Sequence, residues 1–586
     1  MRRTKIIATI GPASEDPNVL VQMIHAGMSV ARLNMSHGSH EEHQRRIEAV
    51  REAARATGKQ IGIMLDLKGP EIRIGTFPEG QVMVREGQAF TFTVRSGVGS
   101  DSAVSVGHQG LVRDVKPGAT LLLDDGNLVM EAVAITDDEV RCRVIVGGVL
   151  SDRKKINLPG ASVSLPAVSE QDVADIRFAV DQGVDFIAAS FVRDAAGVLS
   201  IREIVESSGS RVDIIAKIES QQGVQNMDEI LGVSDGLMVA RGDLGVEVPT
   251  EDVPLLQKRL IERCNTAGKP VITATQMLES MVSHPRPTRA EASDVANAIL
   301  DGTDAIMLSA ETATGKYPVE TVKVMARIAE KAETALDYAG VLSRRAATAH
   351  PTVTDAISHA TVTTALDLGA AAILTATQSG HTARMASKYR PQAPIIAMVP
   401  GERVARRLSL VWGVTPVLGQ RAVDTDEMVD QATQVAMATG LVKSGDLVVI
   451  TAGVPVGMQG TTNLLKVQTV GEVLIKGVGI AAAGVTAAVG RACVALTPEE
   501  ARLTFQPGDI LVTIATDRDW VPLMGQSRAV VTEEGGLTSH AAVVGISLGI
   551  PVVVGAAGAT RQVAGGSVIT IDGARGLVYK GEARVL

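Results

Sequence analysis

Eight short apolar runs alternate with longer segments of helical pattern between residues 5 and 309. The runs are rich in Val, Ile, Leu and Ala with little polar alternation, which is typical of strands buried on both faces of a parallel sheet. They are 5–10, 29–34, 61–66, 185–191, 213–219, 236–241, 270–275 and 304–309. Segment 41–57 has Ile47 and Val50 on one side and Arg45 and Glu48 on the other, as an amphipathic helix does. Repeated strand–helix units predict an α/β fold whose core is a closed (β/α)8 TIM barrel.

The pattern changes outside these runs. Residues 74–158 show period-two alternation, which predicts a small antiparallel β-barrel inserted in a loop of the large barrel. Strand–helix alternation then returns as a doubly wound α/β domain, and Gly/Ala/Val-rich short strands follow as an appended swivelling-type domain. The predicted domains are the barrel at 1–73 and 159–340, the insert at 74–158, the α/β domain at 341–474 and the extra domain at 475–586.

Composition argues against several functional classes. A formal net charge of −9 and an aromatic content of 2% argue against a nucleic-acid binder, which usually has a basic stripe or stacking aromatics. The three cysteines are far apart and form no disulfide framework or zinc spacing. The first residues lack the apolar stretch of a signal peptide, and no apolar run approaches the roughly 18–20 residues that span a bilayer. We expect a cytoplasmic protein with no nucleic-acid or membrane partner.

Polar side chains collect where the predicted strands end. In a TIM barrel the carboxyl ends of all strands meet at one mouth, and active sites lie there. These residues are Arg32, Asn34, Ser36, His37, Asp66, Lys68, Arg73, Lys217, Glu219, Arg241, Gly242, Asp243, Thr275, Ser309 and Glu311. Their convergence is hard to explain as a solubility device, so the sequence predicts a polar site at the mouth.

The charges at the mouth indicate a hard metal ion and an anionic substrate. The carboxylates Glu219 and Asp243 suit Mg2+ or Mn2+, which keep waters and take substrate oxygens as further ligands. The cationic side chains suit a phosphorylated substrate and are Arg32, Arg73 and Lys217. Oxygens that suit a monovalent cation remain at Asn34, Ser36 and Asp66.

Each residue also has a structural alternative. Asn34 and Ser36 fit an ordinary turn, and His37 fits a surface position. Glu219 and Arg241 fit a structural ion pair. Only the convergence of these residues favours a functional site.

Long motifs in this order resemble those of the pyruvate kinase family over about residues 1–474. They are 3–14 (RTKIIATIGPAS), 31–38 (ARLNMSHG), 65–73 (LDLKGPEIR), 215–219 (IAKIE), 238–246 (MVARGDLGV), 274–281 (ATQMLESM), 287–297 (PTRAEASDVAN), 453–457 (GVPVG) and 460–463 (GTTN). The resemblance implies transfer of a phosphoryl group from phosphoenolpyruvate to ADP in glycolysis, giving pyruvate and ATP. It also implies Mg2+ (or Mn2+) and K+ as cofactors and a homotetramer.

The resemblance implies a role for each site residue. Lys217 and Arg32 would neutralise the moving phosphoryl group, and Thr275 would orient a water near the methylene carbon. Backbone N–H groups of Gly242 and Asp243 would receive the substrate carboxylate. The ligands of the divalent ion would be Glu219 and Asp243, and those of K+ would be Asn34, Ser36, Asp66 and the carbonyl of Leu67. The nucleotide would meet Asn34, His37, Arg73 and Lys154.

Several positions depart from the family pattern or qualify it. Leu67 stands where Thr is usual, which leaves a backbone ligand intact. Lys155 stands where the family often has Gly, next to the predicted nucleotide ligand Lys154. Ala310 replaces a usual Gly, and Glu71 matches members that require K+.

Two segments outside the barrel also suggest chemistry. Residues 375–384 follow an apolar strand and open a helix, which favours a phosphate cradle, although many strand–helix turns share this pattern. The resemblance implies a phosphorylated allosteric effector there, at Thr375, Thr377, Ser379, Gly380 and Thr382. Residues 532–555 resemble the phosphohistidine domain of phosphoenolpyruvate-using enzymes, with His540 at the phosphorylated position. Because no ATP-grasp-like segment is visible, a structural or regulatory role is favoured over phosphotransfer.

Two other functions fit parts of the pattern. A metal-dependent aldolase or lyase on the same barrel also uses a Glu/Asp metal pair, but needs neither the insert nor the K+ residues. An inactive regulatory paralogue predicts loss of Lys217, Glu219 or Asp243, and all three are present.

Overall fold

A computed structural model of the chain describes residues 2–161, 163–347, 352–455, 462–481 and 485–585. The chain forms two compact units. The first is made of Met1–His350, Ser379–Arg390 and Gly401–Pro416. The second is made of Pro351–Gln378, Pro391–Pro400 and Val417–Leu586.

Eight parallel strands close into a barrel in the first unit. They are Lys5–Thr9, Val30–Asn34, Gly62–Asp66, Phe186–Ala189, Asp213–Ile218, Gly236–Ala240, Val271–Ala274 and Ala305–Leu308. Neighbours around the barrel follow chain order, and the first strand pairs with the last. The closed (β/α)8 barrel is confirmed, with each strand end within two residues of its prediction.

Side chains of the barrel strands alternate between two cores. Inward-facing residues such as Ile7, Met64, Ile215 and Met238 fill the barrel interior. Their neighbours in sequence pack outward against the surrounding helices.

The helices of this unit begin at well-formed caps. Ser39, Ser169 and Thr288 each form a capping box, which satisfies orphan N–H groups and fixes where the helix starts. The helices are Pro17–Ala26, His40–Thr57, Glu170–Asp181, Ala195–Ser207, Gln221–Gln225, Met227–Val233, Arg241–Glu247, Val253–Ala267, Arg289–Asp301, Ala310–Ala313, Pro318–Glu333, Tyr338–Ala347, His381–Ser387 and Glu402–Leu408. Short 3-10 turns lie at Thr250–Asp252 and Glu279–Val282.

The insert is a seven-stranded sheet with a small second sheet. In sheet order its strands are Ile72–Arg73, Lys155–Asn157, Thr120–Leu123, Leu128–Ile135, Glu139–Val146, Ala89–Thr93 and Ala103–Ser105. The last pair is parallel and the others are antiparallel. A bridge between Ile74 and Val106 joins the two edges, as a small barrel requires. Gln81–Val84 pairs with Gly148–Ser151, and Leu111–Asp114 is a short helix.

The chain enters the insert through Ile72–Arg73 and leaves it through Lys155–Asn157, which we call the exit strand. These two strands pair with each other. The insert is therefore joined to the barrel at one place, next to the mouth.

The second unit contains two sheets. The five-stranded sheet has the order Val414–Leu418, Ile395–Val399, Ala372–Ala376, Leu447–Ala452 and Leu464–Thr469, with helices Val353–Asp367 and Thr425–Ala438. The first three residues of Val414–Leu418 belong to the first unit, and the strand Leu464–Thr469 is antiparallel to its neighbour. Part of the family-like segment 453–463 lies outside the described residues, at 456–461.

The extra domain is built on an eight-stranded sheet. In sheet order the strands are Val473–Lys476, Leu577–Lys580, Val568–Asp572, Ala487–Val494, Ile510–Thr513, Ala529–Thr532, Val552–Val554 and Val478–Ile480. Its helices are Pro498–Thr504, Val521–Met524, His540–Leu548 and Ala559–Gln562, with a 3-10 turn at Arg518–Trp520. In all the residues described, no helix combines the length and apolar character needed to cross a bilayer.

Candidate active site at the barrel mouth

A buried chain of alternating charges crosses the mouth. Arg32 Nε donates to Asp66 Oδ2 at 2.7 Å. Lys217 Nζ lies 3.2 Å from Asp66 Oδ1 and 3.0 Å from Glu219 Oε1. The side chains of Asp66 and Glu219 are 1% exposed, so these charges interact with little solvent screening.

The pKa shifts show which of these side chains has too little positive charge around it. Burial alone would lower the pKa of Lys217, but the carboxylates of Asp66 and Glu219 outweigh burial and raise it. Burial likewise opposes ionisation of Asp66, yet Lys217 and Arg32 together hold its pKa below the usual value. For Glu219, burial and the nearby charge of Asp243 outweigh Lys217 and raise the pKa. Glu219 is therefore the carboxylate that gains most from a further cation.

The end of the strand Phe186–Ala189 contributes two groups that sequence reasoning missed. Ser190 Oγ accepts from Lys217 Nζ at 2.7 Å and donates to the carbonyl of Leu67, also at 2.7 Å. The Phe191 N–H donates to Glu219 Oε2 at 2.6 Å. Phe191 has a φ of 54°, in the left-handed region that costs a non-glycine residue about 1–3 kcal/mol. A hydroxyl at a strand end was the only sequence signal for Ser190.

Thr275 is held at the end of its strand in a strained backbone. Its φ is 66° and that of Gln276 is 54°. Thr275 Oγ1 accepts from the Gly242 N–H at 2.9 Å and donates to the Ala274 carbonyl at 2.7 Å. The Gly242–Thr275 hydrogen bond thus joins the ends of two neighbouring strands.

Arg241 also joins the ends of these two strands. Its Nη2 donates to the Thr275 carbonyl at 2.7 Å, and its Nη1 pairs with Asp294 at 2.8 Å. The structural alternative of a Glu219–Arg241 ion pair is wrong, because Glu219 pairs with Lys217 instead.

The donor set at Glu219 and Asp243 fits a divalent ion. Glu219 Oε1 is buried and receives no well-oriented hydrogen bond from any described residue, although Lys217 lies near it. Asp243 lies in the first turn of Arg241–Glu247 and its side chain is 37% exposed. Within the described ranges, no group of three or more His, Cys, Asp or Glu side chains is placed to hold a metal. Two carboxylates suit Mg2+ or Mn2+, which complete their shell with waters and substrate oxygens.

The predicted K+ ligands lie at two adjacent strand ends. Asn34 and Asp66 are directly paired in strand register, and Leu67 follows Asp66. Asn34 Oδ1 accepts from the Ser36 N–H at 3.2 Å, which is the turn expected from the structural alternative. The oxygens are of the kind that suits a monovalent cation, and the K+ ligands stay a prediction beside this turn.

The predicted nucleotide ligands are less well gathered. His37 is exposed, and Arg73 pairs with Glu71. Lys154 forms an ion pair with Asp124 inside the insert. The neighbouring residue Lys155, and not Lys154, is the one that reaches the mouth.

The remaining predicted residues lie in other parts of the chain. Thr375 is buried in the strand Ala372–Ala376, and Gly380 has a φ of 83° just before the helix His381–Ser387. His540 is the first residue of its helix, and its Nδ1 lies 3.0 Å from Thr516 Oγ1. These local conformations leave the effector and phosphohistidine assignments as predictions.

Comparisons with known proteins agree along the whole chain. Residues 1–322 match the family described as pyruvate kinase, barrel domain, and residues 355–468 match pyruvate kinase, alpha/beta domain. Residues 505–576 match the PEP-utilising enzyme, mobile domain.

Relatives also match the chain over its full length. The chain is 55% identical to a pyruvate kinase of Geobacillus stearothermophilus and 54% identical to one of Bacillus licheniformis, with 100% of both chains covered in each case. It also resembles the crystal structure of a pyruvate kinase from Cryptosporidium parvum, with a TM-score of 0.76, 42% identity, and coverage of 80% of this chain and 96% of that one. The aldolase and inactive-paralogue alternatives are not favoured. The chain therefore belongs to the pyruvate kinase family of phosphotransferases.

Proposed function

We propose that this chain transfers the phosphoryl group of phosphoenolpyruvate to ADP at the barrel mouth, giving pyruvate and ATP. The observation that carries the proposal is the buried ammonium of Lys217, held between Asp66 and Glu219. A fixed, fully charged ammonium beside an open carboxylate suits phosphoryl transfer, which asks the protein mainly for positioning and charge stabilisation.

Lys217 and Arg32 serve the moving phosphoryl group. Their neighbours hold both in place, because Asp66 pairs with each of them and Ser190 accepts from Lys217. Cations fixed before the reaction stabilise the transition state without reorganisation.

Gly242, Asp243 and Thr275 serve the rest of the substrate. The N–H groups of Gly242 and Asp243, in the first turn of Arg241–Glu247, suit the substrate carboxylate. The Gly242 N–H now donates to Thr275 Oγ1, so a carboxylate that takes this donor frees the hydroxyl to orient a water for protonation of the enolate.

Glu219 and Asp243 would hold Mg2+ or Mn2+, and Asn34, Ser36, Asp66 and the Leu67 carbonyl would hold K+. When bound, these ions supply positive charge that neutralises the phosphoryl and enolate oxygens.

An assay of pyruvate formation from phosphoenolpyruvate and ADP tests the proposal. We expect turnover that needs a divalent ion and rises with K+. Absence of turnover in every mixture of Mg2+, Mn2+ and K+ would reject the proposed reaction.

The proposal includes the finer predictions for the rest of the chain. The nucleotide meets Asn34, His37, Arg73 and Lys154. The chain folds into the four domains given above, acts in the cytoplasm and assembles as a homotetramer. A phosphorylated effector binds at the turn that follows the strand Ala372–Ala376. Ser379→Asp places a negative charge there, so it should abolish activation by phosphorylated effectors while basal turnover remains, and full activation of this variant would reject the site.

For the extra domain we propose a structural or regulatory role. The support is that the sequence shows no ATP-grasp-like partner that would load His540. Incubation with labelled phosphoenolpyruvate should leave His540 unlabelled in peptide mapping. Acid-labile phosphate on that residue would favour phosphotransfer instead.

A further inference from the structure

One face of the exit strand touches the barrel mouth. Lys155 and Asn157 are two residues apart in this strand, so their side chains point the same way. Lys155 Nζ lies 2.6 Å from Asp243 Oδ1, and Asn157 Nδ2 donates to Glu247 Oε1 at 2.7 Å. Asp243 and Glu247 are four residues apart, one turn along the same helix. Two contacts therefore fasten the strand to the helix that carries a proposed metal ligand.

Lys155 is built into this position. Its side chain is 13% exposed, and its Nζ lies 4.1 Å from the centroid of the Phe191 ring. An ammonium over an aromatic face is attracted by the ring, most strongly where water is scarce. The N–H of Phe191 donates to Glu219. Lys155 thus contacts one proposed metal ligand directly and the residue that orients the other.

We propose that Lys155 is an internal competitor for the divalent ion, and that its ammonium must leave Asp243 when the ion binds. The inference rests on the proposed function, because it takes Glu219 and Asp243 as the metal ligands. An ion on Asp243 would lie within contact distance of the ammonium, and like charges that close repel strongly in a partly buried site. Lys155 is a compact charge on a flexible four-carbon stem, which allows it to withdraw.

Release of Lys155 also changes how the insert is held. Lys155 and Asn157 make two polar contacts to one helix, and the Asn157–Glu247 contact is the one of these two that remains after Lys155 leaves Asp243. Binding of the ion therefore removes one of the two polar contacts that join the exit strand to this helix.

The direct test is Mn2+ binding to the full-length chain, followed by the electron paramagnetic resonance signal of free Mn2+ without substrate or nucleotide. Lys155→Met should lower the dissociation constant about three- to tenfold, because apparent affinity rises with the fraction of molecules whose site is free. Lys155→Arg keeps the charge and should bind as wild type does. An unchanged dissociation constant in folded Lys155→Met protein would overturn the proposal.

The matched control is Lys154→Met, which removes a charge from the adjacent position. Lys154 pairs with Asp124, so its loss should leave Mn2+ binding unchanged. An equal gain in both variants would show a through-space charge effect and overturn the competition. The gain in Lys155→Met should also persist in concentrated tetramethylammonium chloride, which screens distant charges but not direct contacts.

Amine labelling gives a second measurement. Acetylation of Lys155, followed by peptide mass spectrometry, should increase when Mn2+ saturates the wild-type protein, and no increase would contradict release. The variant Asp243→Asn distinguishes a failure of the proposed metal site from a failure of the proposed competition. If Asp243→Asn binds Mn2+ as wild type does, the proposed metal site fails. If it loses binding while Lys155→Met is unchanged, only the competition fails.

Discussion

The two ends of the barrel both contain buried carboxylates, but the carboxylates are satisfied in different ways. At the amino-terminal end, Asp185, Asp213 and Asp304 each stand at the start of a strand and each meets its own arginine, namely Arg406, Arg407 and Arg390. At the mouth, Lys217 is shared by two carboxylates, and Glu219 Oε1 is left without a well-oriented hydrogen bond within the described residues.

The difference separates structural charges from functional ones. Asp185 accepts from Arg406 Nε at 2.9 Å and from the Ile63 N–H at 3.0 Å, so both of its oxygens are used. Asp304 accepts from the backbone of Val271 and Trp412 in addition to Arg390. A buried charge whose partners are complete holds elements together, whereas a buried charge with an open oxygen is ready for a ligand.

The largest expected effect is at the mouth. Lys217→Met removes the cation that we propose meets the phosphoryl group, so kcat for ADP phosphorylation should fall at least about a thousandfold, as for loss of a key transition-state donor. Protonation of enolpyruvate, measured as proton exchange at the pyruvate methyl group, should survive. The midpoint of thermal unfolding should also fall, because the buried carboxylate of Glu219 loses its cation, so kcat is compared per folded molecule. If Lys217→Met still phosphorylated ADP as wild type does, the charges at the mouth would not be the functional ones.

The next effect is at the opposite end and should be one of stability. Arg406→Met leaves Asp185 buried without its cation, so the free energy of unfolding should fall by about 3 kcal/mol while turnover per folded molecule is kept. Burial already raises the pKa of Asp185, against the pull of Arg406, and loss of Arg406 raises it further. When the pKa of a carboxyl group is raised in the folded state, its contribution to the free energy of unfolding is lost as pH rises through that pKa. The variant should therefore have a lower free energy of unfolding at pH 8 than at pH 5.

Urea unfolding at both pH values checks this prediction. The matched control is Arg327→Met, because Arg327 forms an exposed pair with Glu320 and such pairs contribute at most about 1 kcal/mol. If Arg406→Met were no worse than Arg327→Met, the amino-terminal pairs would not be structural supports.

The smallest effect concerns the support of Lys217. Ser190→Ala removes a hydroxyl that joins Lys217 to the Leu67 carbonyl, so kcat/KM should fall about five- to thirtyfold, the equivalent of about 1–2 kcal/mol. Steady-state kinetics at saturating metal ions measure it, with Ser200→Ala on an exposed helix face as the control. Identical kinetics in both variants would show that Lys217 needs no such support.

Much of the barrel was predictable because buried parallel strands give continuous apolar runs. The strands were placed within two residues, and the charged residues at their ends were found because a barrel gathers them at one mouth. Arg32, Asp66, Lys217 and Glu219 were all identified in this way.

The contacts that sequence reasoning missed depend on distant pairs or local backbone shape. The Phe191 N–H reaches Glu219 only because Phe191 adopts a left-handed conformation, which no periodicity reveals. Lys155 was seen as a departure from the family pattern, but its contact with Asp243 depends on how the insert folds. Arg406 is more than two hundred residues from Asp185 in the chain. Such partners cannot be found by reading neighbouring positions.

The arginines that complete the amino-terminal end are encoded well after the barrel strands themselves. A ribosome that has released the last barrel strand, Ala305–Leu308, has not yet made Arg390, Arg406 or Arg407. In the nascent barrel the side chains of Asp185, Asp213 and Asp304 therefore stay hydrated or become protonated until about a hundred further residues emerge. A gene fragment that stops at residue 340 would encode all eight barrel strands but none of the three arginines that pair with the carboxylates at the amino-terminal end of the barrel.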